Sequence, residues 1–510
     1  MSYEPQRHAR HPRVIELSGF FKTVALGGAT TLLSLVIVKS MAFVNSIIAA
    51  RLLGPSDYGA YSVIFNLQSL ATVVACFGIP LTLARYIAKH RGTDQETASM
   101  IGSYLTSLLV ASSVVTASLY LVLAESIAVS VYGDRDLVLP MQLSSLLVLA
   151  SSINLGMTSS VQGCKRIVEL ARTNAVVAIT AQPISFIMIL TYGLSGAFVA
   201  LAISTSISVV LLVRVLTRVL PIHLSFHGHR RDANDRPILF SFIIPSFLSS
   251  LMIVPAYWYG RTILAIESDF DSVGIFQVAE SLSQLMLLIP AAIGVPLLPL
   301  VSEMHARDAP SVGKSSRSLL SMVLLLVVPL AILAMPTLEW VITNLYGLEY
   351  RSAADTAVLM FASSTIVATS TVISTVMIGT GRMWSALGMN AIWASCFFVS
   401  AFILVPAYGS EGLGATYLLA HLAYVILLLE YFSHAYGTGT RAAWLPLTIL
   451  LGYTLAFVLT VSSQGMLVSV MSSLVACVVA VAVTSKYVLS QSERRLVAAA
   501  LRKGLRHIHS

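Results

Sequence analysis

Residues Asn45 to Gly92 read NSIIAARLLGPSDYGAYSVIFNLQSLATVVACFGIPLTLARYIAKHRG. The stretch is the end of one apolar helix, a turn at Gly54-Pro55, and a second long apolar helix closing on the basic residues Arg85, Lys89 and Arg91. Glycine lets the backbone turn sharply and proline opens a helix rather than continuing one, so the chain is expected to double back here. Both flanking runs are long enough to cross a hydrocarbon layer of ~30 Å. A chain made of such hairpins is a helical membrane protein.

Composition agrees. Hydrophobic residues make up 56% of the 510 and charged residues 11%, against roughly 25% charged in a soluble domain. The mean hydropathy is +0.84. Apolar segments fall at 24–50, 59–88, 98–124, 138–162, 173–192, 195–213, 238–266, 272–300, 318–343, 355–380, 384–406, 412–435, 442–462 and 466–485, which is fourteen spans. The first 22 residues are polar and basic, and the run after them is too long for a signal-peptide core, so no cleavable signal is expected.

The charges orient these spans. With the N-terminus inside, Lys89/Arg91, Lys165/Arg166/Arg172, Arg230/Arg231/Arg236, Arg307/Lys314/Arg317, Arg382, Arg441 and the tail from Lys486 all fall on the cytoplasmic side. The turns with Asp57, Asp134/Asp136, Glu267/Asp269/Asp271, Glu349/Asp355 and Glu411 fall outside. The expectation is a multi-pass protein of the cell (plasma or inner) membrane with both termini cytoplasmic. Its net charge of +8 then belongs to inner loops, and no nucleic-acid partner is implied. The tail 486–510 has the pattern of a basic amphipathic helix lying on the anionic leaflet.

The two halves repeat at an offset of 214–216 residues. Gly78-Ile79-Pro80-Leu81 matches Gly294-Val295-Pro296-Leu297, Tyr132-Gly133 matches Tyr346-Gly347, and Tyr192-Gly193 matches Tyr408-Gly409. Between Tyr58-Gly59 and Val273-Gly274 only the glycine survives. Each repeat spans six helices, so both halves have the same orientation and are related by a pseudo-two-fold axis along the membrane normal. The expected architecture is all-α: two six-helix bundles (24–220 and 238–436), a tail (1–23), a linker loop (221–237) and two further helices (437–485) before the basic tail.

Several function classes are excluded. No Walker motif appears, so ATP is not the direct energy source. Cys76, Cys164, Cys396 and Cys477 are isolated, with neither disulfide nor metal-ligand spacing. His421 stands alone in its span, and His223, His227 and His229 lie in a basic loop without a carboxylate at helical spacing. No catalytic constellation, cofactor or metal is expected. The longest loop, Arg214 to Pro237, is too short for the extramembrane domain of a glycosyltransferase or polymerase.

The turn Arg51-Leu52-Leu53-Gly54-Pro55-Ser56-Asp57-Tyr58-Gly59-Ala60-Tyr61, with Phe77-Gly78-Ile79-Pro80 and Arg85-Tyr86-Ile87-Ala88, resembles the polysaccharide-biosynthesis flippases. These O-antigen-type proteins belong to the multidrug/oligosaccharidyl-lipid/polysaccharide exporter (MOP) superfamily. The resemblance implies alternating access and movement of a polyprenyl-diphosphate-linked oligosaccharide from the inner to the outer leaflet, not an enzyme. Implied partners are that lipid-linked glycan, membrane lipid, a coupling H+ or Na+, and the glycan polymerase and glycosyltransferases of the pathway. Two alternatives stand beside it: a cation-coupled multidrug exporter of the same superfamily, and an integral-membrane glycan ligase or polymerase.

An ionisable group in the hydrocarbon costs about 3 kcal/mol on insertion scales, so each one marks a candidate site. In the resembling family the first and seventh helices line the central cavity. Lys39 and Arg261 would then place positive charge on opposite walls, suiting a diphosphate; alternatively each snorkels to its interface. Asn45 corresponds to Arg261 at the repeat offset. Glu280 lies at similar depth and is expected to pair with Arg261, either permanently or as a coupling device. Arg85, Tyr257 and Gln277 complete the candidate cavity set. Arg85 and Glu430 lie near cytoplasmic ends where snorkelling is the default, and Tyr257, Trp258 and Tyr259 also fit an interfacial aromatic belt. Asn66, Gln68 and Gln284 are further polar groups for glycan hydroxyls or for joining helices.

Overall fold

The computed structural model describes residues 17–90, 95–220, 244–288, 290–291, 309–436, 443–461, 466–489, 491 and 493–494. Among these residues every regular element is helical. Among the described residues, eight helices are long and apolar enough to cross a membrane. The basic tail beyond these residues, the loop with His223, His227 and His229, and Gly294-Val295-Pro296 lie outside the described residues.

The first helix shows why length alone misleads. Helix α1 runs Leu17–Cys76, 60 residues, or about 90 Å at ~1.5 Å per residue. No bilayer of ~30 Å accommodates that straight. It breaks at Gly54, whose φ of 74° and ψ of 175° are non-helical, and Pro55 opens the second segment. The same device recurs in α5 (Ile167–Thr217) at Gly193 (φ 54°, ψ −135°) and in α11 (Met383–Tyr436) at Gly409 (φ 56°, ψ −129°). These two glycines are 216 positions apart and adopt nearly one conformation, one that a side chain would strain.

The second expected span, 59–88, is interrupted. The helix ends at Cys76, Phe77 and Gly78 both take positive φ (41° and 73°), and α2 resumes over Ile79–His90. Pro80 has no N–H to donate back into the preceding turn, so the break falls just ahead of it. Helices α3 (Gln95–Val131) and α4 (Val138–Gly163) complete the N-terminal half with α5.

The second half begins with α6 (Ile244–Glu267) and α7 (Phe270–Ser283), which runs into a short 3-10 turn, Gln284–Leu287. Asp269 caps α7 by accepting a 2.7 Å bond from the Ser272 amide. Then follow α8 (Ala309–Ala334), α9 (Leu338–Leu345), α10 (Ala353–Gly379) and α11. Helices α12 (Trp444–Ala456) and α13 (Met466–Val483) pack on α8.

The opening stretch is where the chain's halves meet. Ala49, Ala50, Tyr58 and Val63 belong to the buried cluster that also holds Val273, Phe276, Val278 and Tyr350. A Cβ on Gly59 would overlap the Phe270 carbonyl, and a Cβ on Gly274 would overlap the Pro55 carbonyl. Gly59 and Gly274 are 215 positions apart, as are Pro55 and Phe270, so the contact is reciprocal. Two hydrogen bonds flank it in the same sense: Tyr132 Oη to Thr262 Oγ1 and Tyr346 Oη to Ser46 Oγ, each 2.9 Å. Each repeated tyrosine reaches into the other half.

Candidate substrate cleft

Beside this crossing lies a cleft of about 490 Å3 walled by α1, α6, α7 and the turn after α7. It brings together Lys39, Asn45, Tyr257, Arg261, Gln277 and Glu280, with Asn66 and Gln284. Arg85 is a correction: it does not line this cleft. Helix α2 buries Ile79, Leu83, Tyr86 and Ile87, which leaves Arg85 on the exposed face of that amphipathic helix. Gln68 is also elsewhere, buried and bonded to Thr72 within its own helix (2.7 Å). Glu430 lies near the end of α11 beside His434, 3.3 Å away and exposed.

Arg261 is only 2% exposed. A guanidinium buried to this degree must have its donors matched. Its Nε donates to Ser62 Oγ at 3.1 Å, and its Nη1 donates to the Tyr257 carbonyl at 3.1 Å and to Tyr417 Oη at 3.0 Å. Its Nη2 donates to Glu280 Oε2, closing an ion pair. The charge also lies over the Phe276 ring, 5.3 Å from its centroid. The expected pairing with Glu280 is therefore present, and it changes what Arg261 offers: that wall presents a neutral pair, not a free cation.

The network continues across the helix crossing. Ser62, having accepted from Arg261, donates to Gln277 Oε1, and Gln277 Nε2 donates to Ser281 Oγ at 3.2 Å. Ser62 and Gln277 are themselves repeat equivalents, 215 positions apart. Neither residue announces itself in the sequence: the position at the repeat offset from Ser62 holds a different residue, Gln277, and Tyr417 is one aromatic among many in an apolar span.

On α1, Lys39 lines the same cleft, is exposed, and makes no ion pair or hydrogen bond among the described residues. Asn45 Oδ1 is buried without a hydrogen-bond partner. The cleft thus holds two cations and one carboxylate, with the uncompensated charge on Lys39. An ammonium with three unused donors is suited to an anionic oxygen.

The three aromatic residues Tyr257, Trp258 and Tyr259 are partly buried. Tyr257 stacks on Tyr417 (5.3 Å, 3°) and meets Trp393 edge-on, Trp258 Nε1 donates to Tyr132 Oη at 3.1 Å, and Tyr259 packs on Phe398.

The chain is 22% identical over 388 residues, covering 74% of itself and 91% of the relative, to the Lipid III flippase of Escherichia coli (strain K12). Its fold is similar to that of the Lipid II flippase MurJ in an inward closed conformation, with a TM-score of 0.66 at 13% identity over 90% of this chain and 98% of that one. It is also similar to an inward-facing multidrug resistance MATE family transporter of the MOP superfamily, with a TM-score of 0.64 at 13% identity over 78% of this chain and 94% of the other. The model of the family described as polysaccharide biosynthesis protein matches residues 24–305, more than half of the chain, and the protein belongs to that family.

Proposed function

We propose that this protein is a flippase, not an enzyme, that carries a polyprenyl-diphosphate-linked oligosaccharide from the inner to the outer leaflet of the cell membrane. The observation that carries the reading is the cleft's charge balance. Arg261 is neutralised by Glu280, and Lys39 faces the same space without a counter-ion. Lys39 holds the diphosphate there, Asn45 Oδ1 accepts from a substrate hydroxyl, and the polyprenyl tail stays in the bilayer.

Transport follows from two six-helix bundles, 24–220 and 238–436, within a fourteen-span chain. The reciprocal Gly59–Phe270 and Gly274–Pro55 contacts, with the paired tyrosine bonds, support a pseudo-two-fold axis between them. Rocking about that axis exposes the cleft to one side and then the other. Membrane potential or antiport of H+ or Na+ drives the cycle, and both termini are cytoplasmic. The multidrug alternative needs a free membrane carboxylate for a cationic drug. Here Glu280 is already engaged by Arg261.

The test is Lys39→Ala in cells that depend on the protein for surface glycan. Glycan display is lost while the protein inserts at normal levels, and Lys39→Arg restores it. Normal display in Lys39→Ala refutes the assignment.

A further inference from the structure

Beyond Tyr257 lies a second cavity of about 320 Å3, between α6, α10 and α11. Its polar lining includes Ser370, Ser374, Asn390, Trp393, His421 and Tyr424, and Tyr257 lines both this cavity and the cleft. We propose that it is a sugar subsite: it takes one uncharged, polyhydroxylated ring of the transported glycan while the diphosphate occupies the cleft. The inference rests on the flippase reading and extends it.

The first argument is an unsatisfied donor. Trp393 is 3% exposed, and its indole Nε1 is buried without a hydrogen-bond partner. A buried N–H left unpaired destabilises the site, so an acceptor supplied from the cavity would recover that loss. The second argument is charge. No Asp, Glu, Lys or Arg is among the lining residues, which disfavours a cation, bound best by anionic oxygens, and equally disfavours a phosphate. The lining therefore selects a neutral ligand.

The third argument is the mix of donors and acceptors. Ser370 Oγ donates to the Val367 carbonyl at 2.8 Å, which leaves its lone pairs free to accept. Ser374 and Tyr424 share a 3.3 Å hydroxyl contact. His421 Nδ1 pairs with Ser363 Oγ at 2.9 Å, which leaves Nε2 for the cavity. Asn390 has no hydrogen-bond partner among the described residues and brings both a donor and an acceptor. Ring hydroxyls, each donor and acceptor at once, match this set; an apolar ligand would leave it unpaired. Tyr257 and Trp393, edge to face at 82° and 5.5 Å, form an aromatic corner for the ring's C–H face.

The experiment uses the full-length protein in lipid nanodiscs prepared without glycoside detergent. Saturation-transfer NMR is recorded with the methyl glycosides of glucose, galactose and N-acetylglucosamine, and with sodium chloride as a separate arm. At least one glycoside is expected to bind the wild type, with affinity lowered about fivefold in Trp393→Phe, which removes one hydrogen bond but keeps a ring, and lowered also in Asn390→Ala. Three results overturn the proposal: no transfer to any glycoside, equal transfer in both folded variants, or displacement of the glycoside by sodium. Binding of undecaprenyl diphosphate, which carries no sugar, is read separately in the wild type. Its absence would sink the flippase reading without touching the glycoside result.

Discussion

Replacing Arg261 with Met strands the Glu280 carboxylate, whose side chain is 15% exposed, and leaves Ser62, Tyr417 and the Tyr257 carbonyl without their donor. Replacing Glu280 with Met strands a guanidinium whose side chain is 3% exposed. Breaking a buried pair from one side costs about 3–5 kcal/mol, because the remaining charge is left uncompensated. If the two losses were independent, the double variant would cost about 6–10 kcal/mol. They share one interaction, and the double variant removes both charges. What remains is the loss of the neutral partners, about 1–2 kcal/mol for each of two hydroxyls. The double variant should therefore be more stable than either single one. The assay is size-exclusion chromatography of the detergent-solubilised protein after heating at a common rate, since unfolding of such chains is a rate and not an equilibrium. A double variant at or below the weaker single one refutes the claim that the pair is mutually compensating. The cycle also separates structure from transport: Arg261 variants lose function through the network, whereas Lys39 variants lose it with stability intact.

At the helix crossing, Gly59→Ala and Gly274→Ala each drive a methyl into a backbone carbonyl, so both lose folded yield, by more than about 1–3 kcal/mol of overpacking; a heated-elution profile equal to wild type would contradict the close approach. Tyr132→Phe removes two bonds between the halves, to Thr262 and from Trp258, and Tyr346→Phe removes one, to Ser46; each is worth about 1 kcal/mol, and both variants favour the state in which those ends part. A cysteine at Ala42, in the cleft wall, should then react roughly fivefold faster with an external maleimide, and an unchanged rate argues that these bonds persist through the cycle. Cysteines at Ser56 and Ser315 should label only from outside and only from inside, respectively, and the reverse pattern overturns the orientation.

Much of the fold was legible because the membrane imposes it. Backbone polar groups in hydrocarbon must be satisfied within the segment, so apolar runs are helices and glycines at their ends are turns. Gly54, Gly193 and Gly409 take the positive φ expected of such turns. The break at Phe77-Gly78 was missed because the hydrophobic run continues straight through it. Gly78 and Pro80 are the signs of a stop.

The sequence by itself determined the class, the 214–216-residue spacing between matching landmarks, and the residues with unusual charge in apolar surroundings, since an ionisable group there is costly wherever it packs. It also pointed to the Arg261–Glu280 pair, two deep charges of opposite sign on neighbouring helices. Tertiary structure decided which of those charges is free. Whether a cation meets a carboxylate, a hydroxyl or open space depends on how α1, α6, α7 and α11 cross, and linear spacing carries no distance between helices. That crossing matched Arg261 through Glu280, Ser62 and Tyr417, turned Arg85 onto an exposed face, and left Lys39 in the cleft with its charge unspent.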